Sequence, residues 1–213
     1  MAASDDLRRA YDRVAAAYGR AFVDELAQKP LDRALYAAFA ELTRGRGTVL
    51  EVGCGPAQVG RYLHELGVDV LATDLSPSMI EVARALHPGL RCAVEDLCAV
   101  GAPDGAFVGL VAAYAIVHLA PDDVPRAARE WARLVAPGGW LLCAFHVEED
   151  AAIVHLDELL GERVSLDFRF HRVATVERAL AEAGFEVDAH LERRGHADHE
   201  HPSLRAYLLA RRR

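Results

Sequence analysis

One stretch limits the fold of this chain more than any other: Val49-Leu50-Glu51-Val52-Gly53-Cys54-Gly55-Pro56-Ala57. The apolar run from Thr48 to Val52 breaks off at a Gly-x-Gly pair. A short apolar run bounded by turn residues reads as a strand buried on both faces. Glycines placed directly after such a strand let the backbone turn sharply, and they let a ligand approach where a Cβ would clash. A glycine pair alone is a weak signal, because any tight turn uses glycine.

The surrounding pattern strengthens it. Leu7, Tyr11, Val14 and Tyr18 recur at helical spacing within residues 5–44, and a second helix is predicted from Pro30 to Leu42. After Thr48–Val52, a helix from Gln58 to Leu66 ends at Gly67, and a second strand covers Val68–Thr73. Ser76-Pro77 reads as an N-cap followed by proline at the first helical position. Leu90–Val94, Phe107–Ala113 and Trp140–Phe145 read as further strands, with a helix over Pro121–Val135. Strands alternating with helices predict parallel pairing through right-handed crossovers. Past residue 145 the alternation breaks. Ile153–Leu160 is predicted as a helix and Val164–Phe170 as a segment of alternating polarity. A last helix over Thr175–Ala183 is capped by Gly184, with closing strands at Phe185–Val187 and Arg205–Ala210.

The strand ends carry the chemistry. Asp74 closes the second strand about twenty residues beyond the glycines, where a carboxylate accepts hydrogen bonds from both hydroxyls of a ribose. Asp74 can equally serve as a capping acid beside Ser76. The third strand leads to Glu95-Asp96-Leu97, an acid able to receive an adenine amino group and a leucine able to cover the ring. Motifs at the ends of successive strands mark the ligand edge of an α/β sheet.

Composition narrows the partners. The net charge of −8 over 213 residues makes nucleic acid a poor default partner. Cys54, Cys92, Cys98 and Cys143 show no CxxC spacing, which points to a reduced, cytoplasmic chain. No apolar run approaches bilayer length, and the N-terminus lacks a signal-peptide pattern. His196, Asp198, His199 and His201 cluster without helical ligand spacing and read as a polar loop, so no metal is expected.

As a set these pieces resemble the class I SAM-dependent methyltransferase superfamily, where SAM is S-adenosylmethionine. Matching segments are Glu51–Gly55, Thr73-Asp74-Leu75-Ser76-Pro77-Ser78-Met79, Glu95–Leu97, Ala112–Leu119, Arg133–Trp140 and the opening Tyr11–Tyr18. The resemblance is nearest to small-molecule methyltransferases of the ubiquinone and menaquinone C-methyltransferase group. One departure is Ala57, where the family often has a third glycine. The resemblance implies a Rossmann-like α/β fold: a seven-stranded, mostly parallel sheet with helices on both faces and an N-terminal helical cap. It implies one domain over 1–213, divided into a cap (1–44), a SAM-binding core (45–145), an acceptor-side insertion (146–172) and a closing segment (173–213).

It further implies that Gly53, Cys54 and Gly55 border the methionine of SAM, with Glu51 supporting that loop. Asp74 would hold the ribose, and Leu75, Ser76 and Met79 would flank the adenosine. Glu95, Asp96 and Leu97 would finish the adenine pocket. Ala113 and Tyr114 would face the sulfonium, and Tyr11 and Tyr18 would cover the cofactor. The expected activity is methyl transfer to a small molecule by in-line displacement, leaving S-adenosylhomocysteine (SAH). His146, following the fifth strand, is the candidate base; His118, Phe170 and His171 are candidates for acceptor contact. A nicotinamide dehydrogenase is disfavoured because position 58 is Gln and no second nucleotide-binding half follows. A SAM-binding protein without turnover would carry the same donor motifs. The fourth strand is followed by Ala113-Tyr114-Ala115-Ile116, not by an Asn-Pro-Pro-Tyr-like tetrapeptide, and by the resemblance that counts against amino-group methylation of nucleobases or glutamine.

Overall fold

A computed structural model of the chain describes residues 2–148, 153–196 and 200–213. Helices α1 (Ala2–Phe22) and α2 (Pro30–Thr43) flank a 3₁₀ turn at Glu25–Gln28. Strands β1 (Thr48–Val52), β2 (Asp69–Asp74), β3 (Arg91–Val94), β4 (Phe107–Ala113) and β5 (Val135–His146) follow. Helices α3 (Gln58–Glu65), α4 (Pro77–Leu86) and α5 (Val124–Leu134) lie between them. The chain then forms β6 (Ile153–Leu159), β7 (Glu162–Arg169), α6 (Val173–Glu182), β8 (Phe185–Arg194) and β9 (Leu204–Arg212).

Seven strands form one sheet in the order β3-β2-β1-β4-β5-β9-β8. The first five pair in parallel, and β9 runs antiparallel to both its neighbours. This is the Rossmann-like class I methyltransferase fold that the resemblance implies, with the parallel pairing that the strand pattern predicts. Strand order reverses between β1 and β4, so a crevice opens at their C-terminal ends.

Alternation along each strand feeds two cores. Leu50, Val52, Leu110, Ala112, Leu141 and Cys143 pack on one face, against Trp131 of α5 and Leu180 of α6. Val49, Val111 and Leu142 face the other way, onto Tyr36 and Phe39 of α2 and Leu63 of α3. Burying each large apolar side chain stabilises the sheet by roughly 1.5–3 kcal/mol, which explains why the strands read as continuous apolar runs. Among the described residues no helix is long and apolar enough to cross a membrane.

The insertion corrects the sequence reading. Ile153–Leu159 is not a helix but a strand, paired antiparallel with β7 in a separate two-stranded sheet. Ile153, Leu156 and Leu160 suit helical spacing, yet the period that wins is two. Val154 and Leu156 turn inward while Ile153, His155 and Asp157 face solvent. Leu160 and Gly161 supply positive φ values of 54° and 85° at the turn, the two-residue geometry that matches strand twist. β5, β8 and β9 also run longer than the predicted strands.

Candidate active site

At the crevice lies a cavity of about 450 Å³. Its base is the loop after β1. The Cys54 amide donates to the Thr73 carbonyl at 2.9 Å, tying this loop to β2. Gly53, Gly55 and Ala57 all adopt left-handed backbone, at φ 61°, 54° and 59°. A Cβ on Gly53 would lie 2.8 Å from that of Ala115, so only glycine fits this turn.

Asp74 fastens both ligand-edge loops. Its Oδ2 accepts from the Gly55 amide and its Oδ1 from the Ser76 amide, each at 2.9 Å. Burial raises its pKa, and these amides offset part of the rise. Ser76 caps α4 as predicted, accepting from the Met79 amide at 3.1 Å. Beneath the glycines Glu51 is buried, and its Oε2 has no hydrogen-bond partner. Burial pushes its pKa up to about 8. Its carboxylate occupies space that a Cβ on Gly60 would fill.

Leu75 and Met79 line the cavity beside Asp74, as do Glu95, Asp96 and Leu97 from the end of β3. Part of the acid pair serves local turns: Asp96 Oδ1 accepts from the Cys98 amide, and Glu95 Oε2 from the Gly101 amide. From above, α1 presents Tyr11 and Tyr18, their ring centroids 6.1 Å apart. Tyr18 lies over Gly55. Asp12, one residue beyond Tyr11, accepts from the Ser76 hydroxyl at 2.6 Å and the Ser78 amide at 3.2 Å. It thereby docks the cap on the positive end of α4.

The far half of the cavity begins at Ala113 and Tyr114, the latter in left-handed backbone at φ 56°. The hairpin β6–β7 roofs it with Val154, Leu156, Leu159 and Phe168. His146 stacks on Phe170 at 5.1 Å and donates or accepts at the Ser203 hydroxyl, 2.7 Å from Nδ1. Burial, then Arg205, lower its pKa to about 3, so the ring is neutral and a weak base. His118 lines the wall, but both its nitrogens are engaged, with the Tyr11 hydroxyl and the Asp167 carbonyl. His171 does not reach the cavity. It is 1% exposed, donates from Nε2 to the Ile116 carbonyl at 2.9 Å, and pins the base of the insertion.

Sequence reasoning missed a buried charged network at this end. Lys29 pairs with Glu25 at 2.5 Å and Glu200 at 3.3 Å, and Gln58 donates to Glu25 at 2.7 Å. Arg193 joins Glu200 to Asp32, at 2.6 and 2.7 Å. These pairs link residues up to 171 positions apart, and no local pattern announces them. Of the histidine-rich loop, Asp198 and His199 lie outside the described residues; His201 sits edge-on to Phe170.

Residues 49–139 match the family described as a methyltransferase domain. The chain is 34% identical over 128 residues to the malonyl-(acyl-carrier protein) O-methyltransferase of Salmonella typhimurium, covering 59% of this chain and 50% of that protein. Over 142 residues it is 33% identical to the ubiquinone biosynthesis O-methyltransferase of Xanthomonas axonopodis pv. citri, covering 61% and 57%. It thus spans about half the length of these curated relatives. A SAM-dependent methyltransferase structure from Methanosarcina mazei superposes with a TM-score of 0.72 at 15% identity, covering 81% of this chain and 95% of that one. At that identity the likeness is one of fold.

Proposed function

We propose that the chain is a class I SAM-dependent methyltransferase, in keeping with the methyltransferase-domain match over residues 49–139, and that it transfers a methyl group from SAM to a small-molecule acceptor by in-line displacement. The observation that carries this reading is a single cavity with two unlike halves. One is a glycine cradle closed by Asp74; the other is walled by aromatic and aliphatic side chains under the hairpin.

The residues fit the cofactor. Gly53 and Gly55 leave the cradle bare of Cβ atoms, and Glu51 brings a buried, unpartnered carboxyl oxygen to its floor. Asp74 receives the ribose hydroxyls. Leu75 and Met79 flank the adenine, and Asp96 with Leu97 closes that pocket. Tyr11 and Tyr18 lie over the whole.

When bound, the sulfonium supplies an already electrophilic methyl. The work left to the chain is alignment and exclusion of water, and alignment of this kind lowers a barrier by up to roughly 7–11 kcal/mol. Tyr114, His146 and Phe170 position the acceptor against the end of β4. With its pKa held down to about 3, His146 orients the acceptor as a neutral ring instead of taking its proton.

Calorimetric titration with SAH tests the donor site. One-site binding, weakened at least tenfold in Asp74→Ala with the circular dichroism spectrum retained, supports it. Unchanged affinity in a folded Asp74→Ala protein removes the ribose role. Asp74→Asn is the control, because it keeps one oxygen for the loop amides. His146→Ala is expected to bind SAH as the unmodified chain does; loss of SAH would move His146 into the donor site. SAH binding with no turnover across an acceptor panel would indicate a binding protein.

A further inference from the structure

The acceptor half carries a directional hydrogen-bond chain. The hydroxyls of Tyr114 and Tyr207 lie 2.8 Å apart. Tyr207 donates to Asp32 Oδ1 at 2.6 Å, and Arg193 donates to the other Asp32 oxygen at 2.7 Å. A carboxylate paired with a guanidinium only accepts. The Tyr207 proton is therefore committed to Asp32, and the Tyr207 oxygen is left to accept from Tyr114. That turns the Tyr114 proton away from the cavity. The bond from Tyr207 to Asp32 is buried, whereas that from Tyr114 to Tyr207 is only partly buried and Tyr114 lines the cavity. Toward the acceptor Tyr114 thus presents lone pairs alone.

The charges nearby are spent. Lys29 is held by Glu25 and Glu200. Arg205 donates to the Ser203 and His201 carbonyls and lies 3.5 Å from Glu200. His146 is uncharged at neutral pH. Arg8 and Arg126 belong to the donor end, beside Asp12 and Cys98. Lys29 and Arg205, the described cations lining the acceptor half, are each already ion-paired within the chain.

We propose, building on the methyltransferase reading and dependent on it, that the acceptor half selects an uncharged hydroxyl on an apolar body, with Tyr114 accepting its hydrogen bond, and rejects a carboxylate of the same shape. Val154, Leu156 and Phe168 receive the apolar body. Tyr207 and Asp32 act as positioning residues, because they fix which way the Tyr114 proton points.

The test uses para-butylphenol and para-butylbenzoate, titrated into protein saturated with SAH. The phenol is expected to bind at least about tenfold more tightly, the worth of one good hydrogen bond against an unpaired charge. Tyr114→Phe should weaken the phenol alone and erase the preference. Tyr207→Phe frees the Tyr114 proton to turn into the cavity, and should move the ratio toward the benzoate without changing SAH affinity. If Tyr207→Phe does not fold, Tyr114→Phe decides. Equal or tighter benzoate binding, a ratio unmoved in the folded variants, or no phenol binding overturns the proposal. The outcomes are separable: a chain that does not bind SAH fails the donor reading, whereas SAH binding without phenol preference fails this inference alone.

Discussion

The Tyr11 hydroxyl donates to Nε2 of His118 at 2.6 Å, while Nδ1 of the same ring donates to the Asp167 carbonyl at 2.8 Å. A carbonyl only accepts, so the tautomer is fixed with its proton on Nδ1. One imidazole thereby joins the cap helix to the hairpin across the top of the cavity. Tyr11→Phe cuts this tie and should speed SAH release by roughly five- to tenfold, in keeping with about 1 kcal/mol for one hydrogen bond. Stopped-flow displacement measures it. An unchanged dissociation rate would mean that the tie does not retain the ligand.

The same ring makes the fold sensitive to acid. Burial lowers the His118 pKa from 6.5 to about 4 and that of His146 to about 3. In the unfolded chain both take up a proton near pH 6.5; in the folded chain they do not. Stability is therefore full above pH 6.5 and is lost as pH falls from there toward 4 and then 3. Thermal midpoints measured down this range should drop less steeply in His146→Gln than in the unmodified chain. Parallel profiles would mean that His146 ionises as freely when folded as when unfolded.

Glu51 pulls in the other direction. Its pKa rises from 4.5 to about 8 on folding, chiefly by burial. Between those values the unfolded chain loses a proton that the folded chain keeps, so stability declines as pH rises from 4.5 to 8 and levels off above. Glu51→Gln stays neutral throughout. Without SAH present, its thermal midpoint should match the unmodified chain near pH 5 and exceed it at pH 8.5. A constant offset across that range would count against a neutral Glu51.

Ala57 occupies left-handed backbone at φ 59°, where a Cβ costs roughly 1–2 kcal/mol. Glycine removes that strain and returns part of the gain through the entropy of its unfolded state. Ala57→Gly should therefore stabilise the chain by roughly 0.5–1 kcal/mol, seen as a higher thermal midpoint. A lower midpoint would mean that contacts of the Ala57 methyl outweigh the backbone strain.

That position illustrates how much the sequence discloses. The third family glycine is replaced at Ala57, yet the backbone there keeps the left-handed geometry that glycine favours. Local signals of this kind are readable: β1 breaking at Gly53, Asp74 closing β2, and Ser76-Pro77 opening α4. Each depends on neighbours within a few positions. The resemblance to ubiquinone and menaquinone C-methyltransferases holds at the level of the superfamily. The hairpin misleads because Ile153, Leu156 and Leu160 suit helical spacing, whereas the period of two that forms turns Val154 and Leu156 toward the cavity. His171 reads as an acceptor contact from its place beside Phe170, but its backbone pairing with His146 turns the ring inward. The network of Asp32, Arg193, Glu200 and Tyr207 is invisible in the sequence, because its members meet only once β8 and β9 have closed the sheet.

The hairpin's ladder is wholly its own; none of its rungs is shared with the seven-stranded sheet. It is rooted where Val147 bridges His171, and that root is nailed by the His171 ring to the Ile116 carbonyl. A segment attached in this way behaves as an exchangeable cassette. Its loop length and inward side chains can drift, or be swapped in the laboratory, while the sheet that holds the cradle keeps every one of its strand pairings. On the proposed methyltransferase reading, the part of acceptor preference that resides in the hairpin is then separable from the cradle. A library confined to the inward side chains of residues 153–169 would vary the roof while leaving the strand pairings of the cradle in place.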